Sequence, residues 1–116
     1  MIIVKEKITV DEIKVMAEHL LGDLVKAVVD VENGILILDA ELHADMEAFL
    51  LDGGSIQNNL WGINLYPDME GEDFIEFDSM INIRPKQGNR SRGVEDVNTQ
   101  NKIINIVNKK IKRDDS

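Results

Sequence analysis

The chain contains no cysteine, and this absence excludes several classes of protein. Without thiols there is no disulfide scaffold, no thiolate zinc site and no thiol nucleophile. No apolar run reaches the length of a membrane span, and the start MIIVKEK lacks the long apolar core of a signal peptide. These absences predict a soluble, cytoplasmic protein with no membrane partner.

Cationic residues are scarce and unevenly distributed. The chain has 13 Lys and Arg against 22 Asp and Glu, which gives a net charge of −9. Because non-specific nucleic-acid affinity comes from cations that neutralise phosphates, this balance argues against a general nucleic-acid binder. Residues 1–83 carry a net charge of −14, whereas residues 84–116 carry +5. Such a division is typical either of solvated surfaces or of a functional patch.

A length of 116 residues predicts one domain, residues 1–116, with a frayed tail at 113–116. In ITVDEI, Thr9 is a suitable N-cap with Glu12 three residues later, and this pattern predicts a helix over 10–21 that ends before Gly22. A second helix is predicted from Val97 to about 112, with Asp96 as its N-cap.

The clearest strand signal is the hairpin LVKAVVDVENGILILDAEL. A two-residue Asn-Gly turn of type I′ would place Val31 opposite Leu36 and Val29 opposite Leu38, with apolar side chains on one face. The other face carries both valine and aspartate, which predicts only partial cover.

Three further strands follow from short apolar or alternating runs: residues 2–4, the stretch NLWGINLYP, and the alternating residues 74–84. Residues 45–52 fit a helix with Asp45 as N-cap, and a buried strand is the alternative. The order of elements predicts an α+β fold, with an antiparallel sheet of four to five strands and the N- and C-terminal helices packed on one face.

The basic loop INIRPKQGNRSRG has two glycines that allow its amides to turn inward. Its cationic side chains and hydrogen-bond donors suit a phosphate or a carboxylate. We therefore predict an anion-binding or partner-binding site formed by Arg84, Lys86, Asn89, Arg90, Ser91 and Arg92. Its spacing matches no Walker or dinucleotide motif, and internal salt bridges are the alternative.

Two other polar groups are weaker candidates. If DAELHAD were an extended strand, Glu41, His43 and Asp45 would share one face and could hold a divalent metal, although the spacing matches no established metal motif. The simpler interpretation is that these three residues lie on a solvent-exposed sheet face. On the strand predicted at 74–84, Glu76, Asp78 and Asn82 would share a polar face beside Asn64, where they could pair with arginines of the basic loop.

Three stretches, LHADMEAFLLDGGS, LWGINLYP and FDSMINIRPKQGNRSRGVED, are similar to those that mark a small prokaryotic family catalogued as domain of unknown function 5674. The resemblance covers nearly the whole chain. It implies a compact α+β protein of bacteria or archaea, and it implies no activity, cofactor or catalytic residue.

The sequence thus favours a non-enzymatic binding module whose loop, Arg84 to Arg92, recognises a phosphate-bearing ligand or an acidic protein surface. The first alternative is a homo-oligomer in which the basic loop of one subunit docks on the acidic segment 68–78 of another. The second is a metal-assisted hydrolase that uses Glu41, His43 and Asp45.

Overall fold

The computed structural model describes residues 1–113, so residues 114–116 of the predicted tail lie outside the described residues. Its strands in chain order are β1 (Ile2–Ile3), β2 (Ile8–Thr9), β3 (Val25–Asp30), β4 (Ile35–Leu38), β5 (Leu60–Leu65), β6 (Ile75–Glu76) and β7 (Ile111–Lys112). Its helices are α1 (Val10–Leu20), α2 (His43–Asp52) and α3 (Val97–Lys110).

The main sheet is antiparallel and has the strand order β1-β4-β3-β5-β6. A small parallel pair, β2 with β7, joins the start of α1 to the end of α3. Side chains of α1 and α3 share one buried cluster with the inner strands, so both helices lie on the same face of the sheet. The predicted α+β fold, with its terminal helices on one face, is confirmed.

Local signals explain both terminal helices. The Thr9 hydroxyl accepts a hydrogen bond from the Glu12 amide at 3.1 Å, which satisfies one of the free donors at the start of α1. At α3, Asp96 accepts from the Thr99 amide at 2.9 Å and from the Thr99 hydroxyl at 2.8 Å. Both predicted N-caps are confirmed, and the helices end one or two residues earlier than predicted.

The β3–β4 hairpin differs from its prediction in register. Val29 pairs with Leu36, not with Leu38, because the strands are joined by four residues and not by a two-residue turn. The Asp30 carboxylate causes the wider turn, since it accepts the backbone amides of Glu32 and Asn33, each at 3.0 Å. The shift is two residues, so each side chain keeps its predicted face.

The second face of the sheet is covered more fully than predicted. Residues 45–52 are helical, and α2 packs Met46 and Leu50 onto Val28 and Ile37 in a second buried cluster. The predicted N-cap of this helix was wrong, because the cap position is occupied by Leu42 and no side chain caps the first turn.

The strand predicted over residues 74–84 was also wrong beyond its first residues. Strand β6 contains only Ile75 and Glu76, and Ser79 then caps a short 3₁₀ turn over Met80–Asn82. Asn82 is fully buried, although the alternation had placed it on a wet face. Within residues 1–113, no helix is long and apolar enough to cross a membrane.

Candidate ligand-binding cleft

Arg84, the first predicted site residue, points into the protein. Its Nε donates to the Ile81 carbonyl at 3.0 Å, its Nη1 donates to the Gln57 carbonyl at 2.8 Å, and its Nη2 donates to the Leu60 carbonyl. The guanidinium also lies 4.7 Å from the centre of the Trp61 ring. A planar group with several donors is suited to join separate carbonyls in this way. Arg84 therefore anchors the loop.

Asn89 has a similar internal role. Its Nδ2 donates to the carbonyls of Asn82 and Gly93, each at 2.8 Å, and its Oδ1 accepts the Glu95 amide at 2.8 Å. Only 4% of the residue is exposed. Since its amide group is satisfied by the backbone, Asn89 holds the shape of the loop.

The inward-turned amides predicted for the loop are present, but an internal carboxylate binds them. The backbone amides of Arg90 and Ser91 both donate to Glu95 Oε2 at 2.8 Å. These hydrogen bonds from Ser91 and Arg90 lower the pKa of the exposed Glu95 carboxyl. An external anion at these amides would have to displace Glu95.

The remaining predicted cations are accessible to solvent. Lys86, Arg90 and Arg92 are exposed, and no side-chain hydrogen bond or ion pair engages Lys86 or Arg90 among the residues that the structure describes. Arg92 is both paired and available: its Nε donates to Asp78 Oδ1 at 2.6 Å, and its Nη1 makes a long contact of 3.6 Å with the Met80 sulfur. The Asp78 bond orients the guanidinium and leaves most of its Nη donors for another acceptor.

The candidate metal residues are not brought together as predicted. His43 and Asp45 lie on α2, whereas Glu41 precedes the helix, so the three do not share a strand face. No group of three or more His, Cys, Asp or Glu residues that could hold a metal ion occurs in the described part of the chain. Glu41, His43 and Asp45 therefore do not form the metal site that the hydrolase hypothesis requires.

His43 instead forms one wall of a small cleft between the start of α2 and the segment after β6. This cleft has a volume of about 180 Å³, and we call it the Arg92 cleft. Its lining contains Met80 and the polar residues Lys26, His43, Asn64, Asp78, Ser79 and Arg92. The side chains come from β3, α2, β5 and the loop segments on either side of residues 79–91.

The sheet places two of these residues side by side. Lys26 on β3 is the cross-strand partner of Asn64 on β5, and Asn64 is in turn the partner of Glu76 on β6. Asn64 Nδ2 donates to Glu76 Oε1 at 2.8 Å and to the Asp78 carbonyl at 3.3 Å. The predicted grouping of Asn64, Glu76 and Asp78 is thus present, whereas Asn82 bonds elsewhere.

Two polar groups in the cleft lack partners. Asn64 is 7% exposed, and its buried Oδ1 accepts no hydrogen bond from the described residues. The first turn of α2, which begins at His43, receives no hydrogen bond from a capping side chain. Free amides at a helix start favour a nearby anion, and a buried acceptor without a donor is costly. The start of α2 thus leaves the cleft with donors that no side chain engages, whereas the Asn64 oxygen is buried and can only accept.

The burial of His43 favours the neutral form of its imidazole. Burial lowers the pKa of His43 below its ordinary value, and the charges of Lys26 and Arg92 act in the same direction. The hydrogen bond to the Ile63 carbonyl and the negative charge of Asp78 oppose this shift without reversing it. The cleft therefore holds two cations and one carboxylate beside a ring whose neutral form is favoured.

His43 and Ser79 do not form a nucleophile and its base. Ser79 is 2% exposed, and its Oγ accepts the Ile81 amide at 3.2 Å. His43 Nε2 lies 2.7 Å from the Ile63 carbonyl, so it donates there. These two side chains therefore lack the mutual hydrogen bond by which a base activates a serine nucleophile.

Lys26 is a cleft residue that the sequence pattern did not identify. Its signal was a single lysine in the apolar strand LVKAVVD, on the same face as Val28. Lys26 on β3 is the cross-strand partner of Asn64 on β5, so a correct strand order would have placed this cation beside Asn64.

The comparison with family models gives one match. The model described as Protein of unknown function (DUF5674) matches residues 2–110, nearly the whole chain, as the resemblance in the sequence implied. No curated protein and no solved structure matches the chain.

Proposed function

We propose that this chain, which belongs to that family of proteins of unknown function, is a non-enzymatic binding module for a small ligand with a phosphate group. The Arg92 cleft would hold that group. In this proposal, the anion is recognised by Arg92, at one end of the basic loop, together with Lys26, which lines the same cleft.

The orientation of Arg92 is the observation that carries the proposal. Its side chain is 55% exposed, yet the 2.6 Å bond from Nε to Asp78 holds the guanidinium in place. A guanidinium that is oriented before a ligand arrives loses less side-chain entropy on binding. Its Nη donors match the spacing of two phosphate oxygens.

The surroundings of Arg92 add to this donor set. Lys26 contributes a second positive charge, and the uncapped start of α2 contributes the partial positive charge of a helix end. At about 180 Å³, the cleft is smaller than the roughly 300–1,000 Å³ typical of drug-sized ligand pockets. It therefore suits a single headgroup better than a large cofactor.

The other predicted loop residues have a supporting role in this proposal. Arg84 and Asn89 fix the loop through backbone carbonyls, so Arg92 projects from a rigid segment. Lys86 and Arg90 lie on the exposed surface of the loop and raise the local positive charge.

Titration with inorganic phosphate tests the proposal, with backbone amide resonances followed by NMR. We expect the amides of His43, Ala44 and Arg92 to shift in a saturable manner. Arg92→Gln and Lys26→Met should each weaken binding roughly 10-fold or more, because each removes a charge-assisted hydrogen bond of about 1.5–3 kcal/mol.

Arg90→Gln and Lys86→Met are the matched controls, since each removes one exposed cation of the same loop. They should change the affinity by less than about 3-fold, through the overall potential only. If Arg90→Gln abolishes binding and Arg92→Gln does not, the anion binds at the Glu95-occupied amides, and the cleft proposal is wrong. Phosphate that shifts no cleft amide would also overturn it.

Self-association is a second candidate, favoured by the exposure of oppositely charged segments. Asp68, Glu70, Glu72 and Asp73 are all exposed, and Lys14 pairs with Asp68 at 3.8 Å. The basic loop presents Lys86 and Arg90 elsewhere on the surface. Complementary patches of this kind allow head-to-tail association of identical subunits.

Sedimentation velocity at low and high salt tests this candidate. We expect association at low salt that is lost at high salt. Lys86→Glu should abolish it, and mixing that variant with Glu72→Lys should restore it in part as a heterodimer. A protein that stays monomeric at low salt and high concentration would refute self-association.

A further inference from the structure

The hydrogen bond from His43 to the strand β5 defines the tautomer of its ring. Nε2 lies 2.7 Å from the Ile63 carbonyl, which can only accept, so Nε2 carries a hydrogen. In the neutral ring, Nδ1 is consequently the nitrogen without a hydrogen. Protonation of His43 therefore occurs at Nδ1 and leaves the bond to Ile63 intact.

The ring is also fixed in position. A Cβ placed on Gly62 would lie 3.2 Å from His43 Cδ2, so the imidazole packs directly against the backbone of β5. His43 is 7% exposed, and its side chain is one wall of the Arg92 cleft. Nδ1 makes no hydrogen bond with any residue in the described range.

Charged groups from two directions act on this ring. Lys26 faces it from β3, and Asp78 and Arg92 face it from the segments that flank the basic loop. In the protein alone, burial and the two cations disfavour the imidazolium. An oxyanion with two negative charges between Lys26 and Arg92 would reverse that balance, since it would offset both cations and attract a third positive charge.

We propose that His43 takes up a proton at Nδ1 when a dianionic oxyanion binds in the Arg92 cleft, and that the new N–H donates to the ligand. This inference rests on the proposed function and specifies its ligand: a phosphate monoester or a similar dianion. A monocarboxylate carries one negative charge, so its binding gains less free energy from the imidazolium than that of a dianion.

Proton uptake makes binding depend on pH in a defined direction. When a ligand is bound together with one proton, its affinity falls by up to about 10-fold for each pH unit between the free and bound pKa of that group. The affinity therefore rises as the pH falls through the range in which histidine titrates.

Sulfate is the probe that isolates this effect, because its charge stays constant across this pH range whereas that of phosphate does not. The histidine ring resonances are followed by NMR as a function of pH, with and without saturating sulfate. His19 is a control within the same molecule, since it lies exposed on α1. We expect sulfate to raise the pKa of His43, whereas the ring resonances of His19 should be the same with and without sulfate at each pH.

Sulfate affinity should in parallel fall about 5- to 10-fold between roughly pH 6 and pH 7.5, as expected for one linked proton. His43→Gln is the matched variant, because its side-chain amide can still donate to the Ile63 carbonyl but cannot titrate. It should bind sulfate with little dependence on pH. If that variant does not fold, the titration of the wild-type histidines decides the question alone.

The outcomes separate this inference from the proposed function. Sulfate that binds in the cleft without moving the pKa of His43 refutes proton uptake and leaves anion recognition in place. Sulfate and phosphate that both fail to shift the cleft amides refute anion recognition itself, and the inference with it.

Discussion

Replacing Asn82 with aspartate would exchange one donor group for an acceptor at a fully buried position. The Asn82 side chain accepts the Gly62 amide at 2.8 Å and donates, through Nδ2, to the carbonyls of Gly62 and Arg92, each at 2.9 Å. It thereby fastens the start and the end of the basic loop to the middle of β5. An aspartate of the same shape loses both Nδ2 hydrogens.

The cost of Asn82→Asp follows from these bonds. A protonated carboxyl donates to one carbonyl and turns an oxygen toward the other, so one buried hydrogen bond is lost at a cost of about 1–3 kcal/mol. An ionised carboxyl would face both carbonyls, so burial raises the pKa of the new group in the folded protein. Holding a proton at pH 7 against an unfolded pKa near 3.9 costs up to about 4 kcal/mol more.

The loss of stability should therefore grow with pH. Since the folded pKa of the introduced carboxyl is raised, the variant should be closest to the wild type below about pH 4, and its deficit should increase to about 5–7 kcal/mol near pH 7. That deficit is comparable with the total stability of about 5–15 kcal/mol expected of a domain.

Urea denaturation at about pH 4.5 and about pH 7.5 measures this difference. Asn105→Asp, at an exposed position of α3, is the matched control and should change the free energy of unfolding by about 0.5 kcal/mol or less. A deficit relative to the wild type that is the same at both pH values, or that is smaller than about 1 kcal/mol near neutral pH, would refute the reasoning.

Three further substitutions test the contacts that shape the cleft and the loop. Gly62→Ala places a Cβ 2.6 Å from Ser79 Cβ, and this overpacking should destabilise the fold by about 1–3 kcal/mol. The midpoint of thermal unfolding should fall, and an unchanged midpoint would contradict the close packing. Arg84→Lys removes hydrogen bonds to backbone carbonyls, so it should lower the free energy of unfolding by about 2–4 kcal/mol and alter the fluorescence of Trp61. A variant as stable as the wild type would show that a single ammonium group can replace these contacts. At Asp30, burial favours the neutral acid, but several hydrogen bonds outweigh burial and lower the pKa. The loss of stability caused by Asp30→Asn should therefore be largest above about pH 4 and become smaller in urea titrations at lower pH. A difference in unfolding free energy that is the same at every pH would exclude this linkage.

The sequence by itself determined the elements whose stability depends on neighbours within one or two turns. Thr9 and Asp96 identify the helix starts because an N-cap bonds to an amide two or three residues ahead. The face of β3 and β4 that packs against α1 and α3 followed from alternation, since a strand has a period of two. These signals are local, and they need no knowledge of the rest of the chain.

Only the tertiary structure decided where the polar side chains find their partners. The turn after β3 is wide because Asp30, besides binding the nearby amides, accepts the hydroxyl of Ser55 from 25 residues away. The alternation after Glu76 ends because Asn82 bonds to Gly62, 20 residues earlier. A hydrophobic period records which face is buried, but it carries no information about which distant donor meets which acceptor.

The same reason explains the candidate site. Arg84 and Arg92 have the same side chain and lie in the same loop, yet Arg84 is held by carbonyls from residues 57 and 60 and Arg92 borders the cleft. Lys26 and His43 line the same cleft as Arg92 only because β3 pairs with β5 and α2 packs onto β3. Composition and spacing determined that cations gather in this chain, and long-range hydrogen bonding decided which of them remain available to a ligand.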